Sequence, residues 1–163
     1  MINDKKTIEL VKTTRNDLET LFIFQRDKEA NYLAAFTSKD PTDKTAYMEK
    51  WTTLLTDTSI NIQTILFNGK IAGSIAKYEI EGTPEITYWI GKDFWGQGIA
   101  TSALKQFLNI EKVRPLYGRV ACDNVRSQKV LEKCGFKKIG RDKGFANARN
   151  KEIEEIIFKL INE

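Results

Sequence analysis

Apolar positions recur along the chain with two different periods, and their alternation predicts a mixed fold of strands and helices. Thr7-Ile8-Glu9-Leu10-Val11-Lys12 alternates as an edge-type strand does. Thr14 stands three residues before Asp17, ahead of Leu18, Leu21, Phe22 and Phe24, which predicts a helix from about Arg15 to Gln25. Between Asp27 and Phe36 the pattern is short, and Tyr32, Leu33 and Phe36 fit either a second short helix or a helical turn. Pro41-Thr42-Asp43 starts a further helix, with Tyr47, Met48, Trp51, Leu54 and Leu55 on one face.

The middle of the chain reads as strand. Ile60 to Phe67 is rich in β-formers, Asn68-Gly69 favours a type I′ hairpin turn, and Lys70 to Ile80 returns as the partner. Glu81-Gly82-Thr83-Pro84 turns the chain into Ile86-Thr87-Tyr88-Trp89-Ile90, whose weak polar alternation implies burial. Gly96-Gln97-Gly98 then forms a turn in which two residues without Cβ permit positive φ and the close approach of a ligand. Ile99 to Leu108 has helical spacing, with Ala100, Ala103, Leu104, Phe107 and Leu108 on one stripe. Arg114-Pro115 breaks the chain before a strand over Leu116 to Ala121. Asp123-Asn124 caps a helix from Val125 to Cys134, closed by Gly135 and Phe136. Phe136 to Arg141 and Ile153 to Ile161 form a last antiparallel pair around a polar loop, Lys143 to Asn150. The sum is one α/β (α+β) domain with a mixed sheet, spanning residues 1–163.

Composition narrows the chemistry. The 163 residues are 41% hydrophobic and 29% charged, which argues against disorder and for a single core. No apolar run approaches a membrane span and the Met1-Ile2-Asn3-Asp4-Lys5-Lys6 start lacks a signal peptide's apolar core, so a cytoplasmic location is expected. There is no histidine. That excludes Ser-His-Asp and Cys-His nucleophile systems, His zinc sites and His bases, leaving carboxylates, tyrosines, hydroxyls, lysines or water for proton transfer. Cys122 and Cys134 have no metal-ligand spacing and no base partner, and read as reduced, small buried residues; no metal is expected.

Charge is uneven. Residues 1–100 carry 12 Lys and Arg against 14 Asp and Glu, whereas residues 101–163 carry 14 against 8. A basic C-terminal half suits an anionic cofactor or a nucleic acid, and equally describes solvated lysine-rich helix faces. Strand, glycine turn and helix in sequence point several backbone N–H groups at one spot, and the helix dipole adds positive potential there. An anion such as a diphosphate could bind that spot; the same two glycines also serve as plain turn chemistry.

Three separated pieces, Glu85-Ile86-Thr87-Tyr88-Trp89-Ile90, Trp95-Gly96-Gln97-Gly98-Ile99-Ala100-Thr101, and Asn124-Val125-Arg126-Ser127 running on to Glu132-Lys133-Cys134-Gly135-Phe136, together resemble the GNAT superfamily of N-acetyltransferases. The likeness is to the branch of the ribosomal-protein alanine N-acetyltransferases (RimJ/RimL type), and the element order follows it over nearly the whole chain. The resemblance implies the acyl-CoA N-acyltransferase fold, a mostly antiparallel sheet of about seven strands flanked by about four helices. It implies acetyl-CoA as co-substrate, its pantetheine arm in a gap between the strand at Tyr88, Trp89 and Ile90 and the strand at Leu116 to Ala121. The diphosphate would rest on the turn from Trp95 and Gly96 through Gln97, Gly98, Ile99, Ala100 and Thr101. Asn124 and Ser127 would stand near the pantetheine and sulfur, although an N-cap and a third helical position explain both without function. Arg126, Lys129 and Lys133 follow at helical spacing.

By the same resemblance Glu85 matches a strand carboxylate that acts as general base, with a surface glutamate after a proline turn as the alternative. The tyrosine that many relatives carry seven residues after the asparagine is replaced by Leu131, and Ser127 is the position suggested instead as proton donor. The implied acceptor is a primary amine, either a protein N-terminal α-amine, as on a ribosomal protein or peptide, or a small molecule. Asp27, Glu29, Tyr32, Phe36 and Trp51 are candidates to meet it. A non-catalytic acyl-CoA-binding or RNA-associated module is the rival reading. No membrane partner is expected, nucleic acid is the less favoured partner, and a monomer or homodimer fits.

Overall fold

The computed structural model describes residues 6–161; Met1 to Lys5, in the start expected to lack a signal peptide's apolar core, lie outside them. Among the described residues seven strands form one sheet: β1 (Ile8–Lys12), β2 (Asn61–Phe67), β3 (Lys70–Ile80), β4 (Thr83–Ile90), β5 (Leu116–Ala121), β6 (Lys137–Ala146) and β7 (Lys151–Leu160). Their order is β1-β2-β3-β4-β5-β7-β6, antiparallel throughout except where β4 meets β5. Five α-helices flank it: α1 (Leu18–Gln25), α2 (Lys28–Ala34), α3 (Lys44–Leu55), α4 (Ile99–Ile110) and α5 (Val125–Lys133).

Local chemistry accounts for most boundaries. Asp17 Oδ2 accepts the Thr14 N–H at 3.0 Å, and a 3₁₀ turn over Arg15–Asp17 precedes α1. Asn68 and Gly69 take φ of 51° and 81°, the two left-handed residues a type I′ turn needs. The Asp27 side chain caps the Ala30 N–H, which resolves the ambiguous segment as α2 and makes the helices five. The Asp43 side chain caps the Ala46 N–H, so α3 begins just after the predicted Pro41–Asp43 start. At the end of α5 the Phe136 N–H reaches the Leu131 carbonyl past Gly135, whose φ is 93°.

The last hairpin departs from the sequence pattern. The expected loop from Lys143 to Asn150 is strand as far as Ala146, paired from Lys143↔Glu154 to Ala146↔Lys151. Its outer positions are charged on both strands, with Arg141 bridged to Glu154 at 3.0 Å, so no apolar alternation marks it. Charges on this edge also discourage pairing with another chain.

The helices divide between the two faces of the sheet. The main core packs Ile99, Ala103, Leu104 and Phe107 of α4 and Val130 and Leu131 of α5 onto Ile75, Ile86, Leu116, Val120 and Phe158. Ile99 is fully buried beside the expected stripe, in which Ala100 and Leu108 are half-buried against the core. On the other face α1 lies over β3 and β4 and α2 over β5, with α3 packed on α1, and Ala35 packs against Ala121 and Ala146. Phe22, Tyr47 and Trp51 stack in series there, with ring centroids 5.2 and 5.8 Å apart.

Candidate active site

The sheet opens at its centre. β4 and β5 run parallel, and they pair at a single position, Glu85↔Tyr117. Beyond it the strands diverge around a cleft of about 590 Å³ lined by both strands and by the N-terminal ends of α4 and α5. The ladder between β3 and β4 determines what faces this gap. Gly91 N–H bonds to the Ala72 carbonyl, so Ile90↔Gly73 and Ile75↔Tyr88 are pairs that exchange no ladder bonds. The N–H and C=O groups of Tyr88 and Ile90 therefore point away from β3, toward the gap. Gly73 permits this close pairing, because a Cβ there would lie 2.1 Å from the Trp89 carbonyl oxygen.

Alternation places the side chains of β4 on opposite faces. Ile86, Tyr88 and Ile90 join the core under α4 and α5, whereas Trp89 donates its indole N–H to the Phe24 carbonyl of α1. Glu85 shares the α1 face. It is only 4% exposed, and Arg119 Nε–H donates to its Oε2 at 3.3 Å. The same guanidinium meets Glu155 at 2.8 Å and Asp142 at 3.3 Å, so one cation serves three carboxylates. Burial raises the Glu85 pKa above its ordinary value, Arg119 opposes the rise, and Glu155 adds to it.

On the opposite face the Tyr88 hydroxyl lies 2.6 Å from Ser127 Oγ on α5. Burial pushes the phenol up to about 12, so it carries its proton at neutral pH. One strand thus presents a carboxylate to one side of the gap and a protonated phenol to the other.

The turn before α4 closes one end of the cleft. Gly96 and Gly98 have φ of 79° and 73°, and a Cβ on either would meet nothing within 4 Å. Gly98 is the N-cap and has no side chain to cap with; the first intrahelical bond runs from Ser102 N–H to the Gly98 carbonyl. The amides from Gly98 to Thr101 therefore lack helical partners, and these four residues line the cleft. Arg126 lies 5.2 Å from the Trp95 ring centroid, and Lys129 and Lys133 line the same side. Dipole, amides and cations make this end attractive to an anion.

A family model described as an acetyltransferase (GNAT) domain matches residues 7–137. The chain belongs to the GNAT acetyltransferases. It is an acetyl-CoA-dependent N-acetyltransferase. YdaF of Bacillus subtilis (strain 168), provisionally named a ribosomal N-acetyltransferase, is 26% identical over 152 residues, covering 86% of this chain and 82% of that protein. Among solved structures, a ribosomal L7/L12 α-N-protein acetyltransferase (RimL) in complex with coenzyme A superposes with a TM-score of 0.78 at 19% identity, over 95% of this chain and 94% of the other. The microcin C7 self-immunity acetyltransferase MccE, in complex with acetyl-CoA and AMP, gives 0.77 at 20%, over 98% and 94%.

Most residues singled out for GNAT chemistry meet at the cleft. Glu85, Tyr88, Trp89, Ile90, Trp95, Gly96, Gly98, Ile99, Ala100, Thr101, Asn124 and Ser127 line it, and Gln97 does not. Two details differ from expectation, at Ile90 and at Asp123, whereas Asn124 is the N-cap the sequence predicts. The Ile90 carbonyl is occupied by the Trp95 indole N–H at 2.9 Å, so Tyr88 N–H, Tyr88 C=O and Ile90 N–H remain for a ligand's amides. Asn124 accepts the Ser127 N–H as helix cap and donates to the Leu33 carbonyl, joining α5 to α2; both ends of its amide are thus used by the fold. Asp123 takes no part in the cap and is held by Arg149.

Of the acceptor candidates, Phe36 and Trp51 line hollows, whereas Asp27 caps α2, Glu29 pairs with Lys92 and Tyr32 is exposed beneath Arg149. Cys122 and Cys134 are free thiols, half-buried rather than buried. Sequence reasoning missed Arg119 and Glu155. An arginine in mid-strand, on the same face as Ala121, is the signal that could have found the first. Among the described residues no cluster of His, Cys, Asp or Glu is arranged to hold a metal, and no helix is long and apolar enough to cross a membrane.

Proposed function

We propose that this chain acetylates the free α-amine of a polypeptide N-terminus by direct attack within a ternary complex, with Glu85 as the general base. The observation that carries the reading is the single-pair contact between β4 and β5, with Glu85 buried at its vertex. The names of the B. subtilis relative and of RimL support a protein N-terminus, ribosomal in both cases, as the acceptor class.

The residues divide the work by face. The amides of Gly98 to Thr101 hold the diphosphate, assisted by Arg126, Lys129 and Lys133, while Tyr88 and Ile90 bond the pantetheine arm as though it were another strand. Acetyl-CoA supplies the acyl group as a thioester whose thiolate leaves readily. Glu85, on the acceptor face, removes a proton from the ammonium, directly or through one water. Tyr88, on the cofactor face, delivers a proton to the departing sulfur and recovers it through the Ser127 hydroxyl. The phenol thus fills the role left open by Leu131, from a different element. Holding both reactants in line contributes much of the rate.

Mixing acetyl-CoA with an alanine-initiated peptide is expected to release CoA thiol, and the same peptide with a blocked N-terminus to release none. Equal release from both would remove the N-terminal amine as acceptor. Tyr88→Phe is expected to lower turnover about 10- to 100-fold, with the acetyl-CoA KM little changed. A variant equal to wild type would take the phenol out of the mechanism.

A further inference from the structure

Beside the cleft, on the face that carries Glu85, lies a second hollow of about 300 Å³ between the first three helices and strands β3 and β4. Phe36, Thr37, Thr87, Tyr88 and Trp89 line both spaces, so the two adjoin. Two of its buried polar atoms, Asn31 Oδ1 and Thr37 Oγ1, have no hydrogen-bond partner. The orientation of the Asn31 amide is fixed by its surroundings. Its NH₂ group donates to two carbonyl oxygens, of Gln25 and Asp27, so the oxygen must be the unpaired end. Asn31 is 6% exposed, and folds rarely leave such an acceptor uncompensated.

We propose that this hollow is a specificity subsite in which Asn31 Oδ1 and Thr37 Oγ1 accept the first backbone N–H following the reacting amine. The proposal rests on the N-terminal acceptor reading above and adds the groups that orient the acceptor. A neutral donor fits better than a second ammonium. The two carboxylates lining the hollow are engaged locally: Asp40 accepts from Thr42, and Asp43 caps α3. The buried end then offers neutral oxygens alone, and an ammonium there would lose its hydration without a counter-charge.

The test uses two alanine-initiated tetrapeptide amides identical except that one is N-methylated at the second residue, which deletes this one donor. With wild-type protein the methylated peptide is expected to lose at least tenfold in kcat/KM. In Thr37→Val the two peptides are expected to converge to within about threefold, mainly through loss on the unmethylated one, with the acetyl-CoA KM unchanged. Thr37→Ser, which keeps the hydroxyl, should retain the discrimination. The melting temperature of ligand-free Thr37→Val reports on the fold itself, and it should rise, because an unpaired buried hydroxyl is removed. A fall would mean that the hydroxyl already has a partner, such as a resident water, and would overturn the proposal. Equal use of both peptides by wild type would overturn it while leaving the N-terminal reading intact. If acetyl-CoA raises the melting temperature and neither peptide reacts, the N-terminal reading fails and this proposal with it.

Discussion

Glu85→Gln is expected to lower turnover by about two to three orders of magnitude while changing acetyl-CoA affinity by no more than about twofold. The separation follows from where the side chain sits. Glu85 lies on the α1 face of β4, with Arg119 between it and Glu155, whereas the diphosphate turn and the Tyr88–Ser127 pair lie toward α4 and α5. A glutamine keeps the shape and an oxygen for Arg119, and that guanidinium remains held by Glu155 and Asp142, so the fold should survive.

The pH dependence gives an independent check. Burial holds the carboxyl above its ordinary 4.5, and a base works only when ionised. The acid limb of kcat should therefore lie above the usual carboxylate range and vanish in the glutamine variant. Stability runs the other way. A carboxyl whose pKa is raised by folding contributes most when protonated, below its unfolded value, and that contribution is lost as pH rises through the folded value. Glutamine mimics the protonated form, so its melting temperature should lose that part of the pH dependence. A variant with wild-type turnover at every pH would exclude Glu85 from the reaction.

Much of this site was legible because the amides that hold an anion are a backbone property, and backbone conformation is written locally. Gly96 and Gly98 before an amphipathic run announce a left-handed turn and a helix start whatever surrounds them. Asn68-Gly69, Thr14 with Asp17, and Gly135 are local in the same sense. What escaped depends on partners distant in sequence. The Arg119–Glu85–Glu155 network joins three strands, and no spacing within any one of them reveals it. The sequence marks Tyr88 for its backbone; that its hydroxyl meets Ser127 depends on how α5 docks. The charged end of the last hairpin was unreadable for another reason, since a strand exposed to water on both sides needs no apolar alternation.

Gly98→Asp is expected to weaken acetyl-CoA binding by about two to three orders of magnitude, measured by calorimetry or by the loss of the ligand-induced rise in melting temperature. Aspartate suits this comparison because it is among the best helix N-caps and tolerates left-handed φ better than most residues, so the φ of 73° should cost the fold little. Its Cβ enters open space. That same space is where the diphosphate rests in the proposed complex. Two unit charges of like sign about 4 Å apart repel by about 4 kcal/mol at an effective dielectric of 20, roughly three orders of magnitude before screening by salt. The carboxylate would also take up the amides that the ligand needs. Raising the ionic strength should recover part of the loss, as a repulsive origin requires, whereas damage to the helix would not respond. Gly98→Ala separates the two terms: it carries the left-handed strain without the charge, so it should bind acetyl-CoA far better than the aspartate variant. If both lose binding equally, the turn acts through its conformation, and the picture of main-chain amides meeting an anion there is wrong.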